Sequence, residues 1–307
     1  MWRGQATKRP LTKGLRALIS VAFTAALLVV VVRAVDMDRV VSLVGNAKWG
    51  WLAIAMALVP LQVCLGALRW HRVATDLNLS LTRRRAVNEY GLSILLNQVL
   101  PGGIAGDAVR VWRHKRGHGE LGAPLRAAVV ERAIGHVAHL VVTLLGVLLW
   151  PYVHGNEAPA GSLFLVACMC LFFVWMWWFP VRGFRSLMND AHVVLHSARQ
   201  WLFHSVVSVL LVGSFLVSFW CCAQALQLPL GLGAVTAVPL LMLIMIIPFS
   251  VGGWGLREIS ATVVLATLGW TPESALALSA AYGVANLLGA APGALAFLSD
   301  GPKEVVA

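Results

Sequence analysis

The chain has 307 residues, of which 59% are hydrophobic and 12% charged. Soluble domains carry roughly 25% charged residues, so this balance excludes an ordinary soluble fold and points to an all-α integral membrane protein. A net charge of +11 would suit a nucleic-acid binder, but the basic residues occupy short connectors between apolar runs. Cytoplasmic retention of positive loops explains that placement, and no nucleic-acid partner is expected.

In chain order, stretches free of Asp, Glu, Lys and Arg cover Ala17–Val32, Trp49–Leu68, Ala133–Asn156, Gly161–Val181, Gln200–Leu256 and Ser274–Ser299. About 20 apolar residues suffice for a helical span, so six full spans are predicted. The first follows Arg3, Lys8, Arg9, Lys13 and Arg16 without a small-residue cleavage site, which reads as an uncleaved signal anchor with its amino terminus inside. Cys64, Cys168, Cys170, Cys221 and Cys222 all fall inside apolar runs, where thiols pack as small hydrophobes, and neither a disulfide framework nor a zinc pattern is indicated.

Two basic connectors stand out. One holds Arg69, Arg72, Arg83, Arg84 and Arg85, the other Arg110, Arg113, Lys115, Arg116, Arg126 and Arg132, and both should face the cytoplasm. Between them lies an apolar segment that carries Glu89, Asn97, Gln98 and the run Pro101-Gly102-Gly103. A crossing there would put one basic connector outside. A re-entrant pair over 87–116 keeps both inside, because broken backbone is tolerated at membrane depth when it is buried in protein or lines a cavity. Spans are then expected near 17–35, 49–68, 131–151, 161–181, 201–225 and 274–299. Phe184, Leu187, Met188, Ala191, Val194, Leu195 and Ala198 fall at helical spacing, predicting an amphipathic helix on the inner surface between spans four and five. Trp175, Trp177 and Trp178 at the inner end of span four, and Trp49 and Trp51 at the outer end of span two, suit interfacial anchoring.

A second broken stretch, IIPFSVGGWGLRE, covers residues 246 to 258. Shifted by 147 residues, Pro101 falls on Pro248, Ile104 on Val251, Gly106 on Gly253, Val109 on Leu256 and Arg110 on Arg257. The same shift carries spans one to three onto spans four to six. Residues 1–155 and 156–307 therefore read as two halves of a single transmembrane domain. An odd number of crossings per half makes this an inverted-topology repeat with two re-entrant helix pairs, whose broken points should meet near the midplane.

A new helix is expected after each break, near Gly106 and near Trp254. Helix amino termini present unpaired N–H groups and partial positive charge, and the missing Cβ atoms of Gly102, Gly103, Gly252 and Gly253 let an anion approach. Arg110 and Arg257 lie within two turns of those starts, which together predicts a phosphate or anionic-headgroup site. Asp107, Glu131 and Glu258 at membrane depth each call for a cationic partner, with Arg110 or Arg132 the candidates for Glu131. His136 and His139 share a helix face but lack further ligands at metal spacing, so core packing is expected. His114 and His118 supplement the charge of their connector. No metal or cofactor is implied.

The stretches LNQVLPGGIAGDAVRVW, ERAIGH and IPFSVGGWGLRE resemble, in this order, the motifs of the flippase-like membrane family typified by the transmembrane region of lysylphosphatidylglycerol synthases. The resemblance covers nearly the whole chain. It implies a polytopic bundle with re-entrant helices that moves lipids between leaflets, and it assigns functional roles to Asn97, Pro101, Gly106, Asp107, Arg110, Glu131, Arg132, Gly253, Arg257 and Glu258. The synthases continue into a soluble aminoacyl-transferring domain, whereas this chain stops at Ala307, so transfer of lysine to lipid is not expected of it.

The leading reading is a flippase or scramblase for an anionic or phosphate-bearing lipid, with isoprenoid-linked lipids among the candidates, in a bacterial inner membrane. No ATP-binding motif occurs, so movement is downhill or ion-coupled. A membrane glycosyltransferase using a polyprenyl-phosphate donor is the rival, on the strength of Asp36-Met37-Asp38 as an outer oxygen-ligand pair for a divalent cation. A non-catalytic scaffold for a partner membrane enzyme, or a homo-oligomer, is the third.

Overall fold

The computed structural model describes residues 11–100, 103–115, 121–159, 161–163, 166–167, 170, 184–244 and 251–297. Among them the chain forms α1 (Leu11–Ala34), α2 (Met37–Gly45), α3 (Trp49–Asp76), α4 (Arg83–Val99), α5 (Ala105–Lys115) and α6 (Gly122–His154). The second part contributes α7 (Phe184–Val194), α8 (Ala198–Ala225), α9 (Gly233–Ile244), α10 (Leu256–Ala266) and α11 (Pro272–Ala290), which runs into a 3₁₀ turn, η1 (Ala291–Phe297). Four segments, Trp49–Asp76, Gly122–His154, Ala198–Ala225 and Pro272–Phe297, are long and apolar enough to cross a membrane, and Val21–Ala34 and Gly233–Leu243 are shorter apolar helices. The fold is that of a polytopic helical membrane protein. Most of the expected fourth span, near 161–181, with Cys168, Trp175, Trp177 and Trp178, lies outside the described residues.

Polar side chains mark the helix starts that the chain needs between its apolar runs. Thr82, Ser197 and Thr271 accept the N–H of Arg85, Gln200 and Ser274, each satisfying one of the backbone donors left open in a first helical turn. Pro239 lies inside α9 facing α6, and its carbonyl accepts from Thr143 Oγ1 at 3.3 Å and lies 2.9 Å from His139 Nε2. His139 thus packs in the core against α9, as its spacing suggested.

The segment α4–α5 is a hairpin, and its rungs can be followed from mouth to tip. Arg85 Nη2 donates to the Arg113 carbonyl at 2.9 Å, and Arg113 Nε meets Glu89 Oε2 at 2.6 Å. Further in, Ser93 Oγ donates to Asp107 Oδ1 at 3.1 Å, and Asn97 Oδ1 accepts the Gly106 N–H at 2.7 Å. The two arms are therefore antiparallel and both basic ends sit together. With 11 residues, α5 rises about 17 Å, well short of the roughly 30 Å hydrocarbon core. The arms of the re-entrant pair lie at Arg83–Val99 and Ala105–Lys115, so the first begins slightly earlier than the expected 87.

In the second hairpin, α9–α10, Gly233 lies against Leu268, so its ends also sit together. They share the end of α6, where His154 Nε2 is 2.8 Å from Thr236 Oγ1 and Asn156 Nδ2 donates to the Thr267 carbonyl. The mouth of the first hairpin lies at the opposite end of α6, so the hairpins enter from opposite sides. Their tips touch: Gly252, at φ +56°, is so close to the Gln98 carbonyl that an added Cβ would fall 2.4 Å from it. The packing also obeys the repeat, since α4 packs on η1 as α9 packs on α6, and α2 on α11 as α7 on α6. The bundle is an inverted repeat with two re-entrant pairs.

Several placements differ from expectation. Span two continues through Asp76, and Arg69, expected in a solvated connector, is buried inside α3. Arg110 and Arg113 are likewise buried, as is His114, whose Nε2 lies 3.2 Å from the Ser80 carbonyl. The apolar face of α7 does not rest on a lipid surface alone: Leu187, Ala191, Val194 and Leu195 pack into a core with α3 and α6, and Asp190 pairs with Arg126 at 2.5 Å. The Asp36-Met37-Asp38 stretch belongs to a helix start rather than a loop. Asp36 caps α2 by accepting the N–H groups of Asp38 at 3.0 Å and Arg39 at 3.3 Å.

This topology predicts an accessibility pattern. Single cysteines at Arg84 and Leu121 should be labelled from one face of the membrane and those at Asn156 and Leu232 from the other, in an otherwise cysteine-free background. Labelling of Arg84 and Leu121 from opposite faces would contradict the re-entrant assignment.

Candidate functional site

The first hairpin carries a buried cluster of charge. Glu131 of α6 is wholly buried; its Oε1 is 2.5 Å from Arg69 Nη2, and its Oε2 is 3.3 Å from Arg110 Nη2. Asp107 bridges Arg110 at 2.9 Å and Arg132 at 2.5 Å, and Ser93 and Asn97 of α4 hold it from the other side. Ser208 of α8 accepts from Arg69 Nη1 at 3.0 Å, and the Tyr90 hydroxyl donates to Glu131. The Arg110 guanidinium lies 4.5 Å from the Trp70 ring centre and 4.7 Å from that of Tyr90, within cation–π range.

Three guanidinium groups meet two carboxylates here, so one positive charge is uncompensated. Arg110 is 1% exposed, and its Nε and Nη1, with Nε of Arg132, have no hydrogen-bond partner among the described residues. Buried polar groups are nearly always satisfied, and a guanidinium has donors only. Such open donors suit an acceptor-rich anion. The rim is formed by Asp107 and Arg132, whose side chains are 15% and 37% exposed.

The corresponding place in the second half is closed. Arg257 Nη2 lies 2.7 Å from Glu258 Oε1, its Nε also donates to Ser279, and Trp254 covers the guanidinium with its ring centre 4.4 Å away. Glu258 Oε2 accepts the Gly255 N–H at 2.6 Å. One guanidinium and one carboxylate cancel. The sequence treats Arg110 and Arg257 as equivalents, whereas the structure leaves the first in charge excess and pairs the second.

At each helix start one backbone donor is already taken by a side chain. Asn97 takes the Gly106 N–H and Glu258 the Gly255 N–H, so the guanidinium groups of the first cluster add to the helix-terminal donors that remain. A model of the lysylphosphatidylglycerol synthase transmembrane region matches residues 17–293, from α1 into η1. The chain belongs to that family. Neither the curated proteins nor the solved structures give a match.

Within this family member, the expected site residues divide into three groups. Asn97, Gly106, Asp107, Arg110, Glu131 and Arg132 converge on the first cluster. Arg257 and Glu258 form the second, beside Gly252 and Gly253, which adopt positive φ at the hairpin tip. Gly103 also has positive φ, with open space around it, while Pro101, Gly102 and Pro248 lie outside the described residues. Glu131 pairs with Arg69 and Arg110, and Arg132 pairs with Asp107 instead. Arg69, Trp70, Tyr90, Ser93 and Ser208 were not expected at the site. Arg69 carries no local signal, since Arg72 one turn later is an ordinary exposed partner of Asp76.

Proposed function

We propose that this protein moves an anionic, phosphate-bearing lipid between membrane leaflets, with its headgroup held at the Arg69–Arg110–Arg132 cluster. The observation that carries the reading is the single positive charge in excess within this buried set, with Nε and Nη1 of Arg110 lacking a hydrogen-bond partner among the described residues. Charge at that depth is costly and is retained where it serves a path. The exposed apolar side chain of Ile104, one helical turn before Asp107, would accompany a lipid tail while the headgroup passes. Inverted repeats with broken helices meeting at their tips are the architecture of alternating access. The amino terminus and both basic hairpin ends are assigned to the cytoplasmic side of a bacterial inner membrane. The reading assigns no chemical reaction and no ATP hydrolysis, so transport runs downhill or with an ion gradient.

Purified protein in liposomes, with leaflet exposure followed by chemical quenching of tail-matched fluorescent lipids, tests the proposal. Faster loss of asymmetry than in protein-free vesicles is the expected result, and identical kinetics would overturn it. The glycosyltransferase alternative relied on Asp36 and Asp38. Replacing both with Asn should leave lipid movement at the parental rate, because Asn caps helices as well as Asp does. Asp36→Ala should instead cost about 1 kcal/mol of stability, read by thermal unfolding. Loss of function in the Asn variant with normal folding would favour metal-dependent chemistry.

A further inference from the structure

We infer that the first-half cluster is matched to a single negative charge, so that the headgroup it carries is a phosphodiester monoanion and not a phosphomonoester dianion or a pyrophosphate. The inference rests on the transport reading above and specifies its substrate class. Arg69, Arg110 and Glu131 are removed from solvent, and the only carboxylate besides Glu131 in ion-pair contact with the three arginines, among the described residues, is Asp107 at the rim. The set therefore stands one positive charge from neutrality. In a medium of low dielectric an excess charge of either sign is unfavourable. One arriving negative charge brings the set to zero, and two leave it as unbalanced as before, with the sign reversed.

The donor geometry agrees with the charge count. Two unpartnered nitrogens on Arg110, which carry three N–H bonds, and one on Arg132, which carries one, can be taken up by the lone pairs of the two non-bridging oxygens of a diester. Among the described residues, the buried arginines outside this set are each paired, Arg257 with Glu258 and Arg113 with Glu89. The exposed Ile104, one helical turn before Asp107, favours a lipid as the source of the phosphate over a soluble ester.

The test compares phosphatidylglycerol with phosphatidic acid, sharing acyl chains and tail fluorophore, in liposomes holding the full chain, with protein-free rates subtracted. A phosphomonoester has its second pKa near 6, so at about pH 8 phosphatidic acid is mainly a dianion and at about pH 5 a monoanion. The expected result is phosphatidylglycerol moving about tenfold faster at the higher pH, with the gap closing at the lower. Asp107→Asn gives the cluster a second excess charge and should invert the preference at high pH; Arg132→Gln removes the excess and should slow both lipids. If Asp107→Asn does not fold, the pH comparison on the parental protein and the Arg132→Gln result decide. Equal rates for both lipids at high pH would overturn the charge matching while leaving transport standing. Failure to move either lipid would overturn the transport reading with it, and uptake of soluble glycerophosphoglycerol, the diester without its acyl chains, in place of lipid exchange would overturn the lipid as the source.

Discussion

Arg257→Gln is expected to lower the stability of the folded protein by roughly 3–5 kcal/mol, the usual cost of stranding one partner of a buried ion pair. Glu258 is 1% exposed and receives its only ion pair, among the described residues, from Arg257. Its remaining partners, the Ser279 hydroxyl and the Gly255 N–H, are neutral donors and do not offset a full charge. The double change Arg257→Gln with Glu258→Gln should recover most of the loss, because a neutral amide strands nothing. Thermal unfolding in detergent and the monodisperse fraction after purification report both effects. A single variant as stable as the parent would mean that the pair is solvated in the membrane. Arg110→Gln should behave differently, since Glu131 keeps Arg69 and Asp107 keeps Arg132, and the change removes excess charge instead of creating it.

Gly106→Ala should disable the first hairpin. A Cβ at this position would lie 2.0 Å from the Ser93 carbonyl oxygen and 2.9 Å from Asn97 Oδ1. The nearer atom is helix backbone and cannot rotate away, so α5 must move off α4. Separation breaks the Gly106–Asn97 and Asp107–Ser93 contacts that place Asp107 between Arg110 and Arg132. Overpacking of this kind costs about 1–3 kcal/mol, and a displaced Asp107 should reduce lipid movement by about tenfold or more, since a shift of about 1 Å in a positioned group can cost about a hundredfold. Gly103→Ala is the control: its surroundings are open, so it bears only left-handed backbone strain of about 1–2 kcal/mol. Parental transport by Gly106→Ala would show that the close approach of the two arms is dispensable.

The hairpins and the repeat were legible because they rest on signals that act locally: charge-free runs of membrane length, basic connectors that resist translocation, and Pro and Gly where backbone must break. The helix at Met37–Gly45 was missed although the shift of 147 residues places it opposite the helix expected at residues 184–198; the repeat could have supplied it where local hydrophobicity did not. The charge cluster was only half legible. Asp107, Arg110, Glu131 and Arg132 announced themselves as ionisable groups at membrane depth. Arg69 did not, because its burial depends on α3 packing against α8 and α6, a contact between residues far apart in sequence. The same long-range packing separates Arg110 from Arg257. Equivalent by alignment, they differ because Glu258 adjoins Arg257, whereas the carboxylates near Arg110 are shared with two other arginines.

The central claim is that Arg110 is held in charge excess in order to carry a lipid headgroup. Its most direct test is the leaflet-exchange rate of phosphatidylglycerol by Arg110→Gln, measured in liposomes at equal folded protein and alongside its unfolding temperature. The account predicts a folded protein of near-parental stability whose exchange falls to the protein-free rate, with Arg110→Lys recovering only part of it, because lysine offers a point charge where arginine offers a planar fork. Parental exchange by a normally folded Arg110→Gln would contradict the claim and leave the cluster a structural element of the hairpin.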